Sequence, residues 1–228
     1  MDMHASRIGI FNATLELIRQ EWYPAPSGER VELPSVEEVM GAAVMYREPV
    51  ALSPLPAGPV PTEVRVENRD CVLAAKALID AGFHPAMLNL ADLYTPGGLV
   101  EYGSGAQEEN PYNIPVISVA ALNGPRVGAD GLMLPAETAI TLDKMRTIFR
   151  IGVLHGHDSL VLSAMGCGAF ANPPAHIARL FHQVIGEEEF RGRFRLIDFA
   201  ILDGYRTGLR HNPDGNLLPF QREFGCNH

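Results

Sequence analysis

Three stretches of the sequence combine residue types and spacings that could do chemistry. The first is Asp92-Leu-Tyr-Thr-Pro-Gly-Gly-Leu-Val-Glu-Tyr-Gly-Ser-Gly-Ala-Gln-Glu-Glu109, with glycines at 97, 98, 103 and 105. Glycine lets a backbone approach a ligand closely and adopt positive φ. The stretch ends on Gln107-Glu108-Glu109. Adjacent carboxylates at the foot of such a loop repel one another, so burial can hold one of them protonated as an acid. A surface loop with a solvated acidic end has the same composition, and residue types leave both readings open.

The second stretch is Met165-Gly-Cys-Gly-Ala-Phe-Ala-Asn172 followed by Pro173-Pro174. Gly166 and Gly168 free backbone N–H groups to face an oxyanion, and the following helix adds its dipole. The stretch fits neither GxGxxG nor the Walker pattern and has no Lys to reach a phosphate. Phosphate binding is favoured over a plain strand-to-helix turn with Phe170 in the core. Cys167 at a helix start could be a nucleophile; its flanking glycines favour a small side chain packed under the loop. The third stretch, His155-Gly156-His157-Asp158, invites a metal site or a triad. It falls at a helix end, where His complements the dipole, and a structural role is favoured. Asn89 and Asn123 end two strands, where Asn either bonds a ribose hydroxyl or caps a turn. Tyr94 and Tyr205 either stack on a base or pack, packing being the commoner fate.

Alternating elements must position these stretches. Ser6 to Gln20 has the apolar period of a helix. Residues 21–60 hold seven of the 18 prolines and read as coil with short strands and a helical turn at Val36 to Met40. Strands are expected at Val64–Val66, Ala86–Ala91, Ile114–Ala121, Ser159–Ala164 and Arg195–Leu202. Between and after them fall helices from Cys71 to Ala81 capped by Asp70, Ala136 to His155, Pro173 to Ile185 and Asn216 to Phe224. This order predicts an α/β fold of three layers, with a mixed, largely parallel sheet and helices on both faces. Ligands sit at the carboxyl ends of strands in such sheets, where the first two stretches fall. The chain reads as a single domain over 1–228, with an N-terminal helical and Pro-rich extension over 1–60 and an α/β core over 61–228.

Composition narrows the partners. The 228 residues are 46% hydrophobic and 20% charged, enough for a core without a staple. The net charge of −9 lacks the basic face that duplex nucleic acid requires. No apolar run is long enough to span a membrane, and the N-terminal apolar stretch is broken by Asp2, Arg7, Glu16 and Arg19, unlike a signal peptide. Cys71, Cys167 and Cys226 are odd in number and widely separated, which suits reduced thiols in the cytoplasm and offers no metal spacing. No GxSxG is present for a nucleophile-elbow hydrolase.

Together these pieces resemble a known family. Pro96-Gly97-Gly98 followed by Gln107-Glu108-Glu109 resembles the signature of the poly(ADP-ribose) glycohydrolases (PARG). The order of Ile117–Asn123, His155-Gly156-His157 and Gly166–Phe170 is similar to the microbial type, from the N-terminal helix to Phe224. The resemblance implies a macrodomain fold and cleavage of ribose–ribose O-glycosidic bonds without metal or redox cofactor. The implied substrate is poly(ADP-ribose) or ADP-ribosylated proteins, and the implied product is ADP-ribose. It implies Glu109 as the catalytic acid and Glu108 as its ribose-binding neighbour, following Gln107. It places Gly97 and Gly98 over the diphosphate, and Gly166, Cys167, Gly168, Ala169 and Phe170 in a second diphosphate loop, with Phe170 beside the terminal ribose. Asp92 falls where the animal enzymes have a ribose-touching Asn. A monomer is expected. Two features depart from the pattern. Leu99 replaces the third glycine, and only Asn110 to Asn113 separate Glu109 from Ile114, which implies a shortened pocket wall or an interruption of the chain beside Asn110. These departures define the alternative, a macrodomain that binds ADP-ribose without cleaving it.

Overall fold

The computed structural model describes residues 3–25, 27–52, 61–92, 95, 101–102, 114–204 and 207–225. The chain divides into two compact units, Met1–Pro49 with Tyr94–Tyr112, and Val50–Leu93 with Asn113–His228.

The first unit opens with helix α1 (Met3–Gln20) and an antiparallel pair, β1 (Trp22–Pro24) and β2 (Arg30–Glu32), with Tyr23 opposite Val31. The Arg30 guanidinium lies 4.5 Å over the Trp22 ring, a cation–π contact that steadies so short a ribbon. Helix α2 (Val36–Ala42) starts in a capping box, in which the Ser35 hydroxyl accepts from the Glu38 N–H and the Glu38 carboxylate accepts from the Ser35 N–H.

The second unit carries a five-stranded parallel sheet in the order β3-β7-β6-β4-β5. Its strands are β3 (Glu63–Glu67), β4 (Pro85–Asn89), β5 (Val116–Ser118), β6 (Ser159–Leu162) and β7 (Leu196–Ala200). Its helices are α3 (Cys71–Asp80), α4 (Pro135–Leu154), α5 (Pro174–Gly186) and α6 (Leu217–Phe224). β6 and β7 are buried on both faces, as central strands of a parallel sheet covered by helices on both sides are. Leu160, Leu162, Ile197 and Phe199 face one core with side chains of α4, α5 and α6, while Val161, Leu196 and Ala200 face a second with α3. The expected three layers with helices on both faces are therefore present, and among the described residues every pairing in this sheet is parallel.

Local chemistry sets the element ends. The Asp70 carboxylate accepts from the N–H groups of Val72 and Leu73 and starts α3. α4 and α5 begin on Pro135 and Pro174, whose missing N–H costs a first helical position nothing. β5 is shorter than the alternating run from Ile114 predicts. It is an edge strand, and Pro115 has no N–H to give the ladder. α6 draws its cap from far away: the Asp203 carboxylate, just past β7, accepts from the N–H groups of Asn216 (2.8 Å) and Leu217 (3.3 Å).

The amino ends of the central strands are tied by Asp158. Its carboxylate accepts from the His84 N–H (2.8 Å), the Ser159 hydroxyl (3.0 Å) and the Arg195 guanidinium (3.0 Å). Burial works to raise its pKa, but these donors outweigh it and hold the group below the ordinary carboxylate range. His157 and His84 stack with ring centroids 4.5 Å apart, each Nδ1 on a backbone carbonyl of the neighbouring segment. The His155–Asp158 stretch is thus a structural tie at the sheet end opposite the loops after β4, β5 and β6.

Asp198, in the middle of β7, is 3% exposed, and its Oδ1 has no hydrogen-bond partner among the described residues. Burial first, and the charge of Glu67 second, push its pKa up to about 6, against the opposing pull of Arg65 and Arg69. A carboxyl whose folded pKa exceeds its unfolded one binds more protons when folded, so stability falls as pH rises through that interval. Asp198→Asn is expected to stabilise the protein by roughly 2–3 kcal/mol at pH 8, with the gain vanishing near pH 4. Urea melts at the two pH values check this; an equal effect at both would show that ionisation of Asp198 is not the cause.

Candidate active site

At the carboxyl ends of β4, β5 and β6 lies a cavity of about 150 Å³. Leu90 and Ala91 line it after β4, Ala121 after β5, and Ala164, Gly166 and Gly168 to Phe170 after β6. The wall is apolar in its side chains. Its polar surface must come from the backbone, and the loop from Met165 to Asn172 is built to supply it.

That loop closes on itself through three backbone bonds: Cys167 N–H to Ala164 O, Ala171 N–H to Gly168 O and Asn172 N–H to Gly166 O. Gly166 sits at φ +73°, where a side chain is disfavoured. A Cβ there would come within 2.6 Å of the Ala121 methyl and closer still to the Asn172 amide nitrogen. The Asn172 side chain, 1% exposed, is the internal brace. Its Nδ2 donates to the carbonyls of Leu122 (2.7 Å), Gly166 (3.1 Å) and Phe170 (3.2 Å), so the loop after β6 is bound to the loop after β5. The Gly124 N–H adds a bond to Phe170 O. Ala171 takes φ +53°, an unusual conformation for a residue with a Cβ.

With those bonds made, the N–H groups of Gly168, Ala169 and Phe170 donate to no protein acceptor among the described residues. Three successive unspent donors at the rim of a concave, apolar pocket form a site for an anionic oxygen. The loop runs on into α5, whose first turn holds no acidic side chain and whose N-cap, Pro173, offers no capping side chain. The positive end of that helix dipole is left uncompensated by its own first turn.

The residues singled out in the sequence fall as follows. Gly166, Gly168, Ala169 and Phe170 line the cavity; Cys167 belongs to the same loop. The Cys167 thiol is fully buried, burial pushes its pKa upward, and Sγ points to the Met165 carbonyl, so its side chain packs beneath the loop. Asp92 is half-buried, two residues past Leu90 at the same strand end. Asn89 donates to the Ser118 hydroxyl at 3.2 Å and joins β4 to β5, whereas Asn123 is exposed in a bend. Gly97, Gly98, Leu99, Gln107, Glu108 and Glu109 lie outside the described residues, as do Tyr94, Tyr205, Cys226 and the Asn110–Asn113 spacer. The expected facing of Gly97–Gly98 with Gly166–Phe170, and the expected interruption beside Asn110, fall on those residues too. In the sequence Asn172 stands as no more than the end of a loop. Its place directly before two prolines was the only signal, since a helix starting there needs its preceding loop anchored.

Comparison with solved structures places this architecture. The structure of poly(ADP-ribose) glycohydrolase from Thermomonospora curvata superposes with a TM-score of 0.79 at 24% identity, over 96% of this chain and 100% of that one. The same enzyme bound to the inhibitor ADP-HPD gives a TM-score of 0.76 at 24% identity, with the same coverage. The enzyme from Deinococcus radiodurans in complex with ADP-ribose gives 0.57 at 22% identity, over 75% of this chain and 87% of that one. The fold is thus the three-layer, macrodomain-like fold of these glycohydrolases. Residues 12–112 in turn match the family model described as the microbial-type PARG, catalytic domain, so the family resemblance read from the sequence holds over that stretch. The matched stretch includes Pro96-Gly97-Gly98 and Gln107-Glu108-Glu109. A search of curated protein sequences gives no match. Among the described residues no helix is long and apolar enough to cross a membrane.

The brace gives a direct test. Gly166→Ala forces a left-handed residue with a Cβ against Asn172 and Ala121 and is expected to cost roughly 2–4 kcal/mol of stability. Gly186→Ala, at the end of α5 with nothing within 4 Å of the added methyl, should be neutral or mildly stabilising. Comparable losses in the two variants would mean that the loop tolerates a side chain and that the brace is loose.

Proposed function

We propose that this protein hydrolyses the ribose–ribose O-glycosidic bond of poly(ADP-ribose) and releases ADP-ribose. The observation that carries the reading is the row of unspent N–H groups at Gly168, Ala169 and Phe170, lining a cavity at the carboxyl ends of the strands. The match of residues 12–112 to the microbial-type catalytic domain supports it.

In this reading the diphosphate is held by backbone donors of Gly166–Phe170 on one side and by the loop of Gly97 and Gly98 on the other. Phe170 lies beside the terminal ribose. Asp92, Gln107 and Glu108 contribute to the ribose contacts. The bond breaks through an oxocarbenium-like transition state, as in other glycoside cleavage. Glu109 protonates the departing ribose hydroxyl, and its carboxylate then takes a proton from the attacking water. Glu108 and the diphosphate are both anionic neighbours, and like charge raises the pKa of Glu109 towards the range of a useful acid. Residues 1–228 act as one catalytic domain, of a cytoplasmic monomer acting on polymer or ADP-ribosylated proteins.

Leu99 in place of a third glycine favours a second reading, a macrodomain that holds ADP-ribose without cleaving it. Incubation with poly(ADP-ribose) separates the two, because only the hydrolase liberates free ADP-ribose. Glu109→Gln keeps the shape of the side chain but has no proton to transfer. It is expected to slow cleavage about 10²- to 10⁴-fold with ADP-ribose affinity largely kept. Glu108→Gln should weaken affinity as well as rate. Near-full cleavage by Glu109→Gln would move the acid role to Glu108.

A further inference from the structure

We propose that His211, with Asn212 beside it, is a positioning residue that aims the Gly168 N–H into the ligand cavity. The inference deepens the glycohydrolase reading and rests on it. The Cys167 carbonyl accepts from His211 Nε2 at 2.8 Å and from Asn212 Nδ2 at 3.3 Å. A carbonyl can only accept, so Nε2 carries the proton.

The peptide joining Cys167 to Gly168 is trans, since among the described residues no peptide bond is cis. In a planar trans peptide the C=O of one residue and the N–H of the next point in opposite directions. Holding Cys167 O on one side therefore directs Gly168 N–H to the other. The two sides are distinct in the fold. His211 and Asn212 line a separate cavity of about 510 Å³, formed with Pro173, Arg179 and Asp214, and Gly168 is not among its walls. Gly168 lines the 150 Å³ cavity, in which neither His211 nor Asn212 takes part.

Within the loop this peptide plane is singular. The planes after Gly166 and Phe170 have carbonyls braced by Asn172, but the N–H groups of Cys167 and Ala171 are already spent on Ala164 O and Gly168 O. Only the plane after Cys167 combines a carbonyl held by two side chains with an N–H spent on nothing among the described residues. The clamp is itself fixed. Asn212 is 1% exposed, its Nδ2 donates to Asn216 Oδ1 (2.9 Å), and its Oδ1 accepts from the Leu209 N–H (2.9 Å). The segment carrying it is anchored in turn where Asp203 caps α6. The last strand and helix thereby set the angle of a donor that belongs to the loop after β6.

The test measures ADP-ribose affinity by calorimetry in the wild type, His211→Ala and His211→Gln, with a thermal melt of each. A hydrogen bond to a charged oxygen is worth enough that mis-aiming one donor should weaken affinity about 10- to 100-fold in His211→Ala. His211→Gln keeps an N–H donor of similar reach and should recover most of that loss, which a role in packing alone would not predict. In poly(ADP-ribose) turnover the change should fall on KM more than on kcat. A second measurement needs no variant: in the wild type, the Gly168 amide resonance should be among those most shifted by ADP-ribose and should gain protection from exchange. Wild type that binds while His211→Ala binds equally well overturns the inference and leaves the glycohydrolase reading standing. The same holds for an unmoved Gly168 resonance, even if His211→Ala fails to fold. Wild type that binds no ADP-ribose overturns both.

Discussion

Two N–H bonds of one side-chain amide, that of Asn172, are shared among the carbonyls of Leu122, Gly166 and Phe170. The arrangement at the cavity depends on this brace. The chain leaves β6 at Leu162 and must start α5 at Pro174, and the loop between them crosses the end of the sheet beside the loop after β5. For an amide buried there, each unmet hydrogen-bonding group costs about 1–3 kcal/mol and each bond made offsets part of it. Nδ2 is met three times over, while Oδ1 has no partner among the described residues. The brace also dictates its neighbours: Gly166 must lack a Cβ, Ala121 must stay small, and Ala171 is held at positive φ.

The consequence is a division of labour between carbonyls and N–H groups. The carbonyls of Gly166, Cys167 and Phe170 are drawn into the protein by Asn172, His211 and Asn212. The donors of Gly168, Ala169 and Phe170 are left over among the described residues. An anionic oxygen can be held this way by a protein of net charge −9 without any lysine or arginine, since peptide dipoles held in place act as fixed partial charges. Such donors need no reorganisation when a negative charge arrives, which is the property that favours holding an anionic oxygen.

The two ends of the parallel sheet are built for different ends. At the amino end, Asp158 gathers His84, Ser159 and Arg195 into a tie that uses its carboxylate oxygens on protein donors. At the carboxyl end, the chain after β7 spends Asp203 on the start of α6, while in the loop after β6 the N–H groups of Gly168, Ala169 and Phe170 stay unspent among the described residues.

Much of this was legible in the amino-acid sequence. Asp70 before an apolar period, Pro135 and Pro174 at helix starts, and the unbroken apolar run of β6 are local signals, because capping, proline geometry and two-sided burial act within a few residues. They were enough for an α/β fold with a parallel sheet, for Gly166–Phe170 as a strand-end loop, and for Cys167 as a packed thiol. The His155–Asp158 stretch read as structural for the same kind of reason, a helix end closed by Gly156. The tertiary structure alone decided the order β3-β7-β6-β4-β5, the truncation of β5 at an edge, and the burial of Asp198 without a partner for Oδ1. It alone joined Asn172 to Leu122 and His211 to Cys167, 50 and 44 residues apart in the chain. No local pattern encodes such pairs. A side-chain amide or imidazole bonds whichever carbonyl the packing brings to it, and which one arrives is settled only when the sheet and its helices close.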